Sequence, residues 1–248
     1  MTARFKLVST ISVLLLLGFM LLHSSGTVGA AGAGKITGTV KLEGTPPHEK
    51  GIDMAKEPVC AKAHESNPAH IEGVEVGAGG GLKDVVLYIS EGLDAGAAGE
   101  VPSEAVTINQ KDCMYTPHVV ALDVNQHMSV VNSDQTTHNI HPLPAAGTGN
   151  IGWNKSQPPG SPPFDVTWKA EEVAIPVKCN IHPWMHGYIV VVKGPYATTD
   201  EKGSYTISNV PPGSYTVKAW QEIYGAQTQK VTVAAGKPAT ADFTYKAK

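Results

Sequence analysis

The chain has 248 residues, which is enough for one or two domains, each with its own hydrophobic core. Charged residues make up 17% and aromatic residues 6%, and the 26 glycines and 18 prolines favour an all-β protein rich in turns over a helical one. The formal net charge of -3 and the lack of a basic patch exclude a nucleic-acid-binding surface.

The first segment has the pattern of a secretory signal. Arg4 and Lys6 precede an apolar run over residues 7–22, and small residues follow at positions 28–31. We expect cleavage near Ala30, so residues 1–30 form a signal peptide and the mature protein is periplasmic or extracellular. Cleavage removes two basic residues and no acidic one, which leaves a formal net charge of -5. The alternative is an uncleaved membrane anchor, although a spanning helix needs about 20 apolar residues.

Residues 35–101 are predicted to form a β segment interrupted by a long loop. Residues 35–42 alternate apolar and polar side chains, which is typical of a half-buried strand. Residues 48–81 are polar, contain two prolines and end in a run of glycines, so we expect little regular structure there. Residues 82–90 are rich in β-branched side chains and predict a second strand.

Short strand-like runs continue through residues 102–193. They are separated by turns, which indicates a β-sandwich or Greek-key barrel, and we expect no helix of useful length between residues 35 and 193. The predicted strands are residues 105–108, 113–122, 128–132, 166–168, 173–177 and 188–192. Residues 141–163 contain many prolines and glycines, so we expect them to be irregular.

The pattern changes again at Gly194. The sequence Gly-Ser-Tyr-Thr occurs twice, at positions 203 and 213, on either side of a Pro-Pro-Gly turn. The predicted strands are residues 204–207, 215–220, 230–233 and 240–245. Residues 194–248 are therefore expected to form a small all-β unit.

One loop concentrates side chains that bind metals. Cys179, His182 and Met185 occur in the order Cys-x-x-His-x-x-Met between two predicted strands, and His138 offers a second imidazole upstream. Two His, one Cys and a weak axial Met are the ligand set of a blue-copper electron-transfer site, because thiolate and imidazole suit both Cu(I) and Cu(II). Zinc is the alternative ion, but it would favour more Cys or His ligands and no thioether. We therefore expect one copper ion per chain.

Several neighbouring side chains are candidates for a supporting role. Asn139 has an amide that could hydrogen-bond near the ligand loop and hold it in place. Asn132 and Asp134 are expected to shape the turn before the upstream imidazole. His141 and His186 are expected to be surface or packing residues rather than ligands.

Export determines how the three cysteines are interpreted. In an oxidising compartment two of them should pair and one should be left over. Because Cys179 lies in the ligand motif, Cys60 and Cys113 are the natural disulfide pair. The alternative is that both are free and buried.

The stretches Cys-x-x-His-Pro-x-Met at residues 179–185 and His-Asn-x-His at residues 138–141 resemble the cupredoxins, most closely the amicyanin and plastocyanin group. The resemblance covers residues 105–193. It implies a Greek-key β-sandwich with a type 1 copper site that transfers single electrons between redox protein partners. The copper ligands that it implies are His138, Cys179, His182 and Met185.

Two motifs of the tail, Ala-Thr-Thr-Asp-x-x-Gly-x-Tyr-x-Ile from residue 197 and Val-Pro-Pro-Gly-x-Tyr from residue 210, resemble the carboxypeptidase regulatory-like or transthyretin-like β-sandwich. This module is a non-catalytic accessory, and its usual opening strand is missing here. The predicted strands at residues 35–42 and 82–90 resemble that missing half. A copper domain of residues 102–193 would then be inserted into a sandwich split between residues 35–101 and 194–248.

The sequence carries no signature of an enzyme. It has no Gly-x-Ser-x-Gly elbow, no phosphate-binding glycine loop before a helix and no Cys-x-x-Cys-His haem site. A copper oxidase would need further His ligands that a single cupredoxin unit does not supply. We therefore expect an exported electron carrier without catalysis of its own. A copper-handling or delivery protein and a surface interaction module are the alternatives, and a membrane is a partner only if the signal is not cleaved.

Overall fold

The computed structural model of this chain describes residues 32–48, 50–94 and 99–247. The predicted signal peptide, residues 1–30, lies outside the described residues. Strands dominate, and the helical pieces among these residues are α1 (Pro58–Ala63) and a 3-10 turn at Ala78–Gly80. The all-β fold class predicted from the sequence is confirmed. In this part of the chain no helix is long and apolar enough to cross a membrane.

Many consecutive strands are joined by short turns, as the dispersed glycines and prolines predict, whereas the connection from β1 to β2 is long. In chain order they are β1 (Gly34–Glu43), β2 (Val86–Glu91), β3 (Val106–Lys111), β4 (Met114–Thr116), β5 (Val119–Asp123), β6 (His127–Asn132), β7 (His138–Pro142), β8 (Lys155–Gln157), β9 (Phe164–Thr167), β10 (Glu172–Lys178), β11 (His186–Val192), β12 (Tyr196–Thr198), β13 (Ser204–Val210), β14 (Gly213–Gln221), β15 (Gly225–Val233), β16 (Pro238–Thr240) and β17 (Phe243–Lys246). They form two sandwiches, each with its own core.

The first sandwich, which we call the site sandwich, contains β3 to β11. One of its sheets has the order β5-β11-β10-β7-β8 and the other the order β4-β3-β6-β9. Apolar side chains such as Ile108, Leu122, Ile140 and Ile189 are fully buried between the sheets. Within the first sheet, β10 and β11 are antiparallel neighbours whose pairing ends at Lys178 and His186. The turn that joins them is the predicted ligand loop.

The second sandwich, which we call the accessory sandwich, combines strands from both ends of the chain. β1 pairs antiparallel with β13 and parallel with β16 and β17. β2 pairs antiparallel with β12 and with β14, which continues to β15. The pairing that a split sandwich requires is therefore present, because the strands before and after the site sandwich share both sheets.

A third apolar cluster joins the two sandwiches. Val86 and Tyr88 of β2 and Trp220 of β14 pack against side chains on the outer face of β5 and β11. The Tyr188 and Trp220 rings meet edge to face across this junction, with centroids 5.4 Å apart. The sandwiches are thus packed against each other, which fixes the position of groups that lie at their seam.

The loop between β1 and β2 contains α1, although the sequence predicted little regular structure there. Pro58 occupies the first turn of this helix, where its fixed φ angle and missing N–H are compatible with helix geometry. The buried Cys60 of the helix forms a disulfide with Cys113, the residue before β4. The predicted cysteine pair is therefore bonded in the structure, and it attaches α1 to the end of the site sandwich that carries the ligand loop.

Candidate metal centre

Three of the predicted ligands meet at one end of the site sandwich. His138 begins β7, Cys179 follows β10, and His182 lies in the turn between β10 and β11. One donor atom from each residue lies within 4.8 Å of the donor atoms of the other two. Their exposed fractions are 0% for His138, 3% for Cys179 and 1% for His182, so the cluster is shielded from water.

The donor atoms of the cluster converge. The Nδ1 atoms of His138 and His182 are 2.9 Å apart, and the Cys179 Sγ atom is 3.8 Å from His182 Nδ1. Two imidazole nitrogens and one thiolate form a donor set that suits copper in both of its common oxidation states. The residues present therefore fit the ion that the sequence predicts.

Met185 completes the same turn. Its side chain is fully buried, its backbone N–H donates to the His182 carbonyl at 3.0 Å, and its carbonyl accepts from the Cys179 backbone N–H at 3.0 Å. The loop is thus closed on itself by backbone hydrogen bonds. The assignment of Met185 as the axial ligand stays a prediction.

The surroundings of Cys179 favour the thiolate form of its sulfur. Burial raises the pKa of the Cys179 thiol, but hydrogen bonds from His138 and from the backbone N–H groups of Asn139, His182 and Ile181 outweigh it, so the pKa lies below its usual range. The His182 N–H reaches the sulfur at 3.4 Å. A thiolate is the form that binds metals, so these contacts favour the binding state.

Asn139 connects the upstream strand to the ligand loop. Its side-chain Oδ1 accepts the backbone N–H of Asn180 at 2.7 Å and lies 3.4 Å from Cys179 Sγ, while its Nδ2 donates to Asn154 Oδ1 at 2.7 Å. These are the contacts that the predicted loop-holding role needs. The side chain is also buried, so these hydrogen bonds are shielded from competing water.

Asp134 has a role that goes beyond the predicted turn. One of its oxygens accepts from the backbone N–H of Asp112 at 2.7 Å, and the other accepts from Cys113 N–H at 2.8 Å and contacts His138 Nε2 at 2.7 Å. Burial would raise its pKa, but the hydrogen bonds from His138 and the two N–H groups lower it. Asp134 therefore holds the outer nitrogen of His138 and orients the ring. The i, i+4 spacing of the two residues is the signal that could have indicated this contact.

The outer nitrogen of His182 has different surroundings from that of His138. Within the described residues, His182 Nε2 is buried and has no hydrogen-bond partner, and Glu57 next to α1 places a carboxylate oxygen 3.9 Å away. The Trp184 ring lies 5.2 Å from the His182 ring and donates its N–H to the Cys113 carbonyl at 3.1 Å. The α1 loop and Trp184 therefore cover the edge of His182, and nothing in the sequence pointed to Glu57.

The two spare histidines lie outside the cluster, as the sequence predicts. His141 Nδ1 is 3.2 Å from Asn180 Oδ1 at an exposed position. His186 packs edge to face on His118, with ring centroids 5.3 Å apart. His118 was not singled out in the sequence, because its partners come from distant segments.

Residues 187–246 match the family model of the carboxypeptidase regulatory-like domain. This confirms the resemblance predicted for the tail. The match begins in β11, a few residues before the predicted boundary at residue 194. No curated protein matches the chain in sequence.

Several solved structures resemble part of the chain. Amicyanin from Paracoccus versutus is 18% identical over 43% of this chain and 97% of its own, with a TM-score of 0.32. A purple cupredoxin from Nitrosopumilus maritimus is 17% identical over 35% of this chain and 99% of its own, with a TM-score of 0.29. A Cu-containing nitrite reductase from Thermus scotoductus is 18% identical over 42% of this chain, which spans only 25% of that chain, with a TM-score of 0.32.

Proposed function

We propose that this chain is an exported copper protein that transfers single electrons between redox protein partners and has no catalysis of its own. The observation that carries the proposal is the convergence of the thiolate of Cys179 with the facing Nδ1 atoms of His138 and His182 in a buried pocket. Thiolate sulfur and imidazole nitrogen bind copper in both of its common oxidation states.

The chain's own residues divide the work of such a site. His138, Cys179, His182 and Met185 would hold the ion, and bound copper would supply reversible one-electron chemistry. Asp134 and Asn139 fix the His138 ring and the Cys179 loop, so the donors need little rearrangement when the charge of the site changes. The buried surroundings exclude water, which limits reorganisation of solvent around the site.

Export is part of the proposal. The signal pattern of residues 1–30 supports it, and the Cys60–Cys113 disulfide suits an oxidising compartment. Cell fractionation followed by N-terminal sequencing tests this step. We expect the mature chain outside the cytoplasm with a new N-terminus near Ala30, and an intact Met1 in the cytoplasmic fraction would refute it.

Visible absorption after addition of Cu(II) tests the site itself. We expect an intense thiolate-to-copper charge-transfer band that is lost in Cys179→Ser and in His138→Gln. His141→Gln is the matched control, because this histidine is close in sequence but lies outside the cluster, and it should keep the band. A band that survives Cys179→Ser would exclude the site. Met185→Leu should keep copper and raise the reduction potential.

Copper delivery is the alternative function. A delivery protein has to release its ion readily, whereas all three converging ligands are at least 97% buried in this chain. Reversible voltammetry combined with slow loss of copper to a chelator would support the electron carrier. Transfer of copper to the chelator within the mixing time would support delivery instead.

A further inference from the structure

A second group of metal-binding side chains lies at the other end of the ligand loop. His118 directly precedes β5, His186 is the first residue of β11, and Glu222 follows β14 of the accessory sandwich. One donor atom from each lies within 4.8 Å of those of the other two. The group is thus assembled from both sandwiches at their seam.

His118 is held between two carboxylates. Its Nε2 atom is 2.8 Å from Glu222 Oε2, and its Nδ1 atom is 3.5 Å from Glu72 Oε2. The side chains of His118 and Glu222 are 3% and 5% exposed, so both are removed from water. Buried carboxylates need a cation nearby, because an isolated charge is costly to bury.

His186 directs a second imidazole nitrogen to the same place. Its Nδ1 atom contacts the Trp184 carbonyl at 2.8 Å, and because a carbonyl oxygen can only accept, Nδ1 is the donor in this contact. A backbone carbonyl on the outer nitrogen is a common way to orient a metal-binding histidine. The His118 and His186 rings meet edge to face at an interplanar angle of 88°, and one ring nitrogen of each lies within 4.8 Å of the other.

The backbone is arranged to allow this approach. A Cβ atom at Gly187 would lie 2.5 Å from the His118 carbonyl oxygen, so only glycine permits β11 to run this close. Gln221 accepts the backbone N–H groups of Ile223 and Tyr224, which fixes the turn that carries Glu222. The same Gln221 donates to the Gly73 carbonyl at 2.8 Å and so holds the residue that follows Glu72.

An ion pair accounts for only part of this arrangement. In the metal-free chain burial lowers the pKa of His118, but hydrogen bonds to Glu222 and Glu72 outweigh it and raise the pKa to about 10, so a proton occupies the site. The ion pair between His118 and Glu222 gives no role to His186, which lies beside them. His118 Nδ1 and Glu72 Oε2 are also buried, and the contact between them is long, at 3.5 Å.

We propose that His118, His186 and Glu222 bind a second, divalent cation of borderline softness such as Zn²⁺ between the two sandwiches. The cation takes the place of the Nε2 proton of His118, which is released to solvent, while Nδ1–H of the same ring faces Glu72. Two imidazoles and one carboxylate with a further open position are a known zinc ligand set, and no thiolate is present to select Cu(I). The inference does not depend on electron transfer at Cys179.

Equilibrium dialysis of the mature full-length chain against micromolar Zn²⁺ tests the proposal, with bound zinc counted by atomic emission. The background is Cys179→Ser, which removes the thiolate that would otherwise also hold zinc. We expect one zinc ion per chain in this background. His186→Gln and Glu222→Gln should each weaken binding at least 100-fold, and Glu72→Gln should weaken it about 10- to 100-fold, as expected for a residue that orients a ligand.

His127→Gln and Glu201→Gln are the matched controls, because they change the same residue types at exposed positions. Both should retain zinc with unchanged affinity. Circular dichroism of each variant separates loss of the ligand from loss of the fold, and the two independent variants at His186 and Glu222 guard against a single misfolded protein. The proposal is overturned if the Cys179→Ser chain retains no zinc. It is also overturned if neither His186→Gln nor Glu222→Gln changes the affinity of this chain for zinc.

Discussion

The two sandwiches are built from the same kind of strand, yet their interiors differ. The core of the accessory sandwich is mainly apolar, and the tyrosines in it use their hydroxyls on backbone carbonyls, as Tyr245 does when it donates to the Ala219 carbonyl at 2.9 Å. The interior of the site sandwich also contains amides and imidazoles. Its buried polar residues include Gln110, Asn132, His138, Asn139, Gln157 and His182.

The buried amides form a chain that ends at the metal centre. Gln110 Nε2 donates to Gln157 Oε1 at 2.6 Å, Asn132 Nδ2 donates to the Gln157 carbonyl at 2.7 Å, and Asn132 Oδ1 accepts from Asp134 N–H at 3.0 Å. Asp134 in turn orients His138. Burying a polar group is costly unless it is hydrogen-bonded. The interior of the site sandwich therefore contains a hydrogen-bonded network that orients His138, in space that apolar side chains could otherwise fill. Substitutions in the two sandwiches should therefore separate stability from the properties of the metal site.

The disulfide lies in the core of the site sandwich and should have the largest effect. Cys60 and Cys113 are 53 residues apart in sequence, and the loop that they close contains β2 of the accessory sandwich. Replacing both by serine should lower the free energy of unfolding by about 4 kcal/mol, because the unfolded chain regains loop entropy. Urea unfolding measures this loss, and the reduced wild-type chain should unfold at the same midpoint. A loss below about 1 kcal/mol would contradict the expectation.

A cavity in the accessory core should cost stability alone. Leu87 is fully buried in that core, and Leu87→Ala should lower the free energy of unfolding by about 3 kcal/mol. The copper absorption band should keep its position and intensity, because Leu87 belongs to the accessory core whereas Cys179 and Met185 belong to the core of the site sandwich. A shifted band in this variant would mean that the two interiors are more strongly coupled than the structure indicates.

Asn132→Ala should affect both properties at once. It leaves the Thr136 and Gln157 carbonyls without their donor, and we expect a loss of about 2 kcal/mol. The copper band should also shift or broaden, since Asp134 loses the acceptor that fixes its turn. Asn67→Ala, at an exposed position, is the control and should change neither unfolding nor spectrum. A stable Asn132→Ala variant with an unchanged spectrum would refute the proposed orienting role.

Asp84→Asn should have the smallest effect and the opposite sign. Burial raises the pKa of the Asp84 carboxyl above its ordinary 3.8, although Lys83 and His118 oppose the shift. A raised folded-state pKa means that stability is lost as the pH rises through that value and regained as it falls. At neutral pH the uncharged amide should therefore stabilise the chain by about 1 kcal/mol, and asparagine also tolerates the φ of 58° at this position.

The pH dependence checks the Asp84 prediction. The gain from Asp84→Asn should shrink as the pH is lowered, because the wild-type carboxyl then becomes neutral as well. Asp165→Asn, at an exposed position, is the control and should leave the free energy of unfolding unchanged at every pH. A gain that stays constant from neutral to acidic pH would show that the charge of Asp84 is not its cause.

Alternating or β-branched runs were sufficient to predict most strands and the position of the ligand loop. They failed for β7, whose sequence His-Asn-Ile-His-Pro is mostly polar, and for the short β8, which lies within residues 141–163 that were expected to be irregular. These strands exist because β7 pairs with β10 and β8, so tertiary context determines them. Glu57 and Glu222 approach histidines 125 and 104 residues away in sequence, and no local pattern reports such contacts.

The split of the accessory sandwich has a consequence for the order of assembly. β1 finds its neighbours β13, β16 and β17 only after some 160 further residues have followed it along the chain, whereas every strand partner of the site sandwich lies within residues 106–192. A chain that is synthesised from its N-terminus can thus complete the site sandwich while β1 and β2 still expose unpaired edges, which are prone to association with other chains. The C-terminal strands β13, β14, β16 and β17 then pair with β1 and β2, and the unpaired edges are no longer available to other chains.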